Sequence, residues 1–248
     1  MHRVSELRGL TIAATDGDIG TLDDLYFDSK TWRVRYLVVD TGTWLSGRRV
    51  SVAPHVAHPP NAGAKRLPVS LTRAQVEGSP DVSTTPPVSR QQEIAWHAYY
   101  GYPLYWTTPD LLGAQPLLAA PDPRAALAEE ELAARESGEP NLQSAQEVRG
   151  FYIGAADGEI GHVADFLVEV EPWTIRYLIV DTSNWWAGKQ VLVAPGWITD
   201  VSWNDSKVYT TLTREAIKSS PEYDPTAPVQ RDYESRLYGH YRRPNYWE

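Results

Sequence analysis

Four acids crowd one short stretch of the chain, Asp16, Asp18, Asp23 and Asp24, and clustered carboxylates can hold a hard cation. A calcium loop, however, needs oxygen donors at alternating positions and a distal bidentate Glu. That pattern is not met, and Asp16-Gly17 reads as turn chemistry. His55 and His58 have the H-x-x-H spacing of a ligand pair, but they lie beside Pro59-Pro60 with no third ligand in view. They read as loop residues without metal. There is no Gly-x-Ser-x-Gly, no His-Glu-x-x-His and no phosphate-binding glycine loop. With no cysteine, neither a disulfide nor a thiolate metal site can form. The expectation is a protein with no catalytic residue, no metal and no cofactor, and so not an enzyme.

Aromatic side chains offer a different chemistry. The chain holds 10 Trp and 14 Tyr against 3 Phe, so most of its rings carry a polar tip that needs a hydrogen bond or water. Trp44, and Trp185 with Trp186, sit on short loops after Asp-Thr; Tyr246 and Trp247 close the chain. Large amphipathic rings at such places are the usual anchors of protein interfaces. These five are the candidate partner-binding residues. The alternative is that the loop Trp residues lid the fold and the aromatic arms (Tyr99 to Trp106, Tyr241 to Trp247) strap it shut.

The residues are ordered by a repeat. Leu7-Arg8-Gly9 meets Val148-Arg149-Gly150, an offset of 141, and the same offset carries Asp16-Gly17-Asp18-Ile19-Gly20 onto Asp157-Gly158-Glu159-Ile160-Gly161. Arg35 to Thr41 falls on Arg176 to Thr182, Val52-Ala53-Pro54 on Val193-Ala194-Pro195, and Leu71-Thr72-Arg73 on Leu212-Thr213-Arg214. Tyr100, Pro103, Tyr105 and Trp106 fall on Tyr241, Pro244, Tyr246 and Trp247. No gap interrupts the match from about residue 6 to 106. This predicts a repeat at 1–106, a Pro- and Ala-rich linker at 107–144 with a short helix after Asp122-Pro123, and a second repeat at 145–248.

Within each copy, Asp-Gly between apolar runs predicts a hairpin. Val34 to Asp40 and Ile175 to Asp181 are apolar and aromatic on both faces, which predicts a central buried strand. Further strands are expected at Arg49 to Ala53 and Lys65 to Ser70, with counterparts at Gln190 to Ala194 and Lys207 to Thr211. Thr72, with Gln75 placed for a capping box, and Thr213 mark short helices. Others begin near Arg90 and Arg231. Many short strands with frequent turns predict a mainly β protein, built as two small barrels in tandem, each with a short C-terminal helical and aromatic arm.

Leu-Arg-Gly, Asp-Gly-x-Ile-Gly, the acids Asp24 and Asp165, Arg-Tyr-Leu-Val-Val and Val-x-Val-Ala-Pro, in that order and twice over, resemble the PRC-barrel family. The resemblance covers roughly residues 6–80 and 147–221. That family includes the cytoplasmic barrel of the photosynthetic reaction-centre H subunit, a domain of a bacterial ribosome-maturation factor, and stand-alone bacterial proteins. It implies a six-stranded barrel used as a protein-binding or proton-path scaffold, without family-wide catalytic residues. The leading expectation is a protein-binding adaptor or assembly module. Alternatives are an RNA- or ribosome-associated factor and a carbohydrate or small-ligand binder. A net charge of −9 disfavours nucleic acid as partner, because phosphate binding draws on Lys and Arg. No apolar run is long enough to span a bilayer, and a cytoplasmic location is expected. Fusion of two copies with sticky aromatic edges further predicts that they pack as an intramolecular pseudo-dimer about an approximate two-fold axis.

Overall fold

The computed structural model describes residues 1–45, 47–61, 63–79, 90–103, 142–182 and 188–247. Most of the expected linker and its helix, together with Tyr105, Trp106, Trp185 and Trp186, lie outside the described residues.

The chain is mainly β and forms two sheets. In the N-terminal half a two-residue strand β1 (His2–Arg3) leads into one helical turn α1 (Val4–Leu7). The strands β2 (Thr11–Ala14), β3 (Gly17–Asp28), β4 (Val34–Asp40), β5 (Arg49–Val52) and β6 (Arg66–Pro68) follow, then helices α2 (Arg73–Glu77) and α3 (Arg90–Tyr100). The same elements recur 141 residues on. They are β7 (Leu142–Ser144), α4 (Ala145–Val148), β8 (Tyr152–Ala155), β9 (Gly158–Glu169), β10 (Thr174–Asp181), β11 (Gln190–Val193), β13 (Lys207–Thr210), α5 (Arg214–Lys218) and α6 (Arg231–His240). An additional strand, β12 (Ile198–Ser202), occurs, among the described residues, in the C-terminal half alone. Among the described residues no helix is long and apolar enough to cross a membrane.

The strand order is β5-β4-β3-β2-β6 in one sheet and β11-β10-β9-β8-β13-β12 in the other. Among the described residues the closed barrels that the resemblance implies are therefore not formed: each hydrogen-bonded ladder stops at an edge strand. The edges are short, and a 3-10 turn follows β5 (Pro54–Val56) and β11 (Pro195–Trp197), turning the chain out of the ladder. Strand β12 is a further difference from the expected strands. Its Asp200 and Val201 pair with Tyr209 and Val208, whereas Pro59 and Pro60 stand at those places in the N-terminal half, where only isolated bridges form. Proline has no N–H to give to a ladder.

Local signals behaved as their chemistry requires. Asp16 and Asp157 close their hairpins and also cap the next helix, accepting from Arg73 N at 2.8 Å and Arg214 N at 2.7 Å. Thr72 and Gln75 form the expected reciprocal capping box, and Thr213 accepts from Ala216 N. Gly20 and Gly161 run against the ends of β4 and β10, where a Cβ would collide with the carbonyls of Asp40 and Asp181.

Strand β4 is buried on both faces. Leu37 and Val39 face the main core, while Tyr36 and Val38 face α3, where Trp96 lies edge-on to Tyr36 at 5.0 Å. The main core is one contiguous apolar cluster drawn from both halves of the chain. Leu37→Ala and Leu178→Ala, at fully buried positions, should each cost about 2–5 kcal/mol. Because the core is shared, each should shift a single unfolding transition in urea. Two separate transitions, with one half untouched, would contradict a common core.

Candidate functional site

Where the halves meet, contacts come in reciprocal pairs. Strand β1 joins the C-terminal sheet beside β9 (His2 opposite Val168), and β7 joins the N-terminal sheet beside β3 (Gln143 opposite Phe27). Val34 N donates to Trp173 O and Ile175 N to Trp32 O, both at 2.9 Å, with Arg33 bridged to Thr174 between them. Trp32 and Trp173 hold φ at 58° and 59°, an uncommon backbone for a bulky residue. Burial and the two hydrogen bonds across the seam keep it there.

Each long strand carries a bulge, after Leu22 in β3 and after Val163 in β9. Such an extra residue re-aims the side chains beside it. Here Asp24 and Asp165, both 6% exposed, meet the helical turn of the opposite half. Asp24 accepts from Leu25 N at 2.7 Å, from Gln146 N at 3.0 Å and from the Ser144 hydroxyl. Asp165 accepts from Phe166 N at 2.8 Å and from Ser5 N at 3.3 Å. Burial pushes the Asp24 carboxyl up to about 6, with the charge of Asp23 adding to it; the three donors oppose the shift without cancelling it.

Two arginines flank these acids. Arg8 Nε donates to Asp23 O at 2.7 Å, and Arg149 Nε donates to Ala164 O at 2.9 Å. A cavity of about 620 Å³ opens along the seam, walled on the Arg149 side by Ser5, Arg149, His162, Asp165 and Gln190 and reaching Arg8 and Gln146 of the other set.

A second buried carboxylate sits under each C-terminal helix. The Tyr36 hydroxyl donates to Glu93 at 2.8 Å and the Tyr177 hydroxyl donates to Glu234 at 2.8 Å. In the N-terminal half His97 Nε2 also lies 3.0 Å from Tyr36 Oη; in the C-terminal half Arg231 and Tyr246 close over Glu234 instead. These bonds pin α3 and α6 to the outer faces of β4 and β10. Burial and the neighbouring Glu234 push the Tyr177 hydroxyl up, so it stays a proton donor.

Three of the five aromatic candidates, Trp44, Tyr246 and Trp247, are among the described residues, and each has its own surroundings. Trp44 is half-buried against the core with the Arg73 guanidinium 4.6 Å over its ring, as a lid would be. Trp247 packs on the core and lies 5.7 Å from the Tyr238 ring, as a strap would. Tyr246 is exposed, with Arg176 at 4.9 Å and Arg231 at 5.3 Å from its ring. Trp185 and Trp186 are not among the described residues. His55 and His58 go separate ways: His55 packs edge-on to Tyr102, and His58 bonds Ser70 Oγ at 2.7 Å. The acidic string divides likewise, since turn chemistry holds for Asp16 while Asp18 pairs with Arg66 and Asp23 and Asp24 serve the seam.

The family model for the PRC-barrel domain matches residues 1–75. Those residues are a PRC-barrel domain. The match takes in β1 to β6 and reaches into α2, so Asp23, Asp24 and Arg8 are PRC-barrel positions. An uncharacterized protein of Deinococcus radiodurans is similar to this chain, at 41% identity over 71 residues, 28% of this chain. The similarity spans 25% of that protein's length.

Asp24 yields a pH prediction of unusual sign. With a folded value near 6 against an ordinary 3.8, the folded chain holds this proton more tightly than the unfolded one. Asp24 therefore adds stability as pH falls from about 7 to 4 and withdraws it as pH rises through 6, by up to about 3 kcal/mol. Wild-type stability minus that of Asp24→Asn should increase with acid in urea melts at pH 7, 6, 5 and 4. A difference that is flat, or that shrinks with acid, would refute it.

Proposed function

We propose that the chain is a non-enzymatic protein-binding module, an adaptor in which a PRC-barrel domain and a second, PRC-like half act as one rigid intramolecular pseudo-dimer in the cytoplasm. The observation that carries the binding reading is Tyr246. It stands exposed at the end of the chain, hydrogen-bonded through its hydroxyl to Glu234 and Arg231, with Trp247 stacked edge-on at 4.9 Å. Tyr, Trp and Arg are the residue types that dominate interface energetics. A ring already held in place also loses little freedom on binding. The reciprocal seam supports the pseudo-dimer, since isologous contacts repeat the same residues on both sides.

The test is a photo-crosslinking residue placed at position 246 in living cells, followed by affinity measurement with whatever protein is captured. Tyr246→Ala should weaken that complex by about 30-fold or more, as expected for a central anchor worth about 2 kcal/mol. Because it also removes one donor from buried Glu234, its urea midpoint should fall modestly, with the fold kept by the remaining Tyr177 and Arg231 donors, and affinity is compared on the folded variant. Undiminished affinity in Tyr246→Ala, or crosslinks to RNA or glycan alone, would remove this reading.

A further inference from the structure

We infer that the seam cavity beside Arg149 is a binding site for a carboxylate, and that the protein itself displays the bound form at the equivalent place in its other half. Around Arg8, the Asp23 side chain accepts from Arg8 Nη2 at 3.3 Å and pairs with Arg49 Nη2 at 3.0 Å. Gln146 Nε2 closes the group, donating to Asp23 O at 2.8 Å. Advance each residue by 141 and the set becomes Arg149, Ala164, Gln190 and, facing them from the opposite half, Ser5 in place of Gln146. Arg149 keeps the anchoring bond that Arg8 makes, Nε to the carbonyl of the bulge residue. Its guanidinium is therefore held as Arg8's is, while the carboxylate has been truncated to a methyl group. Among the described residues no acidic side chain is paired with Arg149, and the space is part of the 620 Å³ cavity.

The remaining wall suits an anion. Arg149 and His162 are donors, as are the Gln190 amide and the Ser5 hydroxyl, while Arg3 also lines the wall with its guanidinium held by Glu6 at 2.6 Å. Asp165 also lines the cavity and would repel an anion, but its counterpart Asp24 sits beside Asp23 in the occupied half, so adjacent carboxylates are accommodated there. A guanidinium presents parallel N–H donors whose spacing matches a carboxylate. The cavity is larger than one carboxyl group, which fits a small dicarboxylate or an Asp or Glu side chain carried on a polypeptide. This site is independent of the Tyr246 surface.

Succinate and an amidated tetraglutamate peptide serve as probes, each titrated at pH 7.5 by calorimetry and by thermal melting against sodium chloride of matched ionic strength. A ligand that binds the folded chain raises Tm saturably, and at least one probe should do so. Succinate alone marks a free metabolite as the source; the peptide alone marks an acidic protein segment. Arg149→Gln should weaken binding at least 10-fold. Ala164→Asp, which installs the missing carboxylate, should abolish binding and raise the Tm of the unliganded chain. Should Ala164→Asp fail to fold, Arg149→Gln decides alone. No stabilisation beyond matched chloride, undiminished binding in Arg149→Gln, binding retained in a folded Ala164→Asp, or tighter binding of inorganic phosphate than of either probe would each overturn the assignment.

Discussion

Two short segments, His2–Arg3 and Leu142–Ser144, leave their own halves and pair with the long strand of the other. This exchange is the constraint on which the rest depends. Once the strands have crossed, the turns that follow them, Val4–Leu7 and Ala145–Val148, point their free N–H groups at the opposite half. An unpaired N–H buried there would be costly, and each half meets the need with one buried carboxylate, Asp24 or Asp165. The bulges that aim those carboxylates follow from the same demand. The apolar core is then continuous across the seam, with Phe27 and Phe166 in ring contact at 5.6 Å from opposite halves.

Exchange of this kind makes the halves equivalent in frame but free to differ in detail. Ser144 caps its turn and bonds Asp24, while at the matching position Arg3 turns away to pair with Glu6. Asp23 with Arg49 on one side has become Ala164 with Gln190 on the other. The Asp23–Arg49 pair is only partly exposed, so its loss costs the fold a modest amount, yet it changes what the surface can hold. Divergence is thus tolerated at the rim of the seam, where chemistry can vary, and resisted at the carboxylates and at Trp32 and Trp173, where the backbone is committed.

Much of this was legible in the residues. The hairpins at Asp16-Gly17 and Asp157-Gly158, the caps at Thr72 and Thr213, and the doubly buried strands around Leu37 and Leu178 are all set by local chemistry, and local chemistry is what a sequence displays. The seam was not legible, although its acids were visible as a recurring pair. Strands of two and three residues have no periodicity to detect, and their register exists only once a partner is present. Buried Glu93 and Glu234 escaped for a similar reason: on a helix they look like solvated acids, and only the tyrosine beneath, fifty-seven residues earlier in each half, shows otherwise.

Those two glutamates also bear on how the aromatic arms should be understood. A carboxylate under a helix needs donors, and in the C-terminal half they include Arg231 and the Tyr246 hydroxyl, the latter from the arm itself. The arm is therefore drawn down by its polar tip while its ring stays outside, against Arg176 and Arg231. Strap and contact surface are then not competing descriptions of Tyr246. The hydrogen bond to a buried acid fixes the ring in one orientation, and a fixed, exposed ring flanked by guanidinium groups is what a partner can recognise at small entropic cost. Trp247 contributes differently: packed on the core, it holds the end of the arm in place so that Tyr246 cannot swing away.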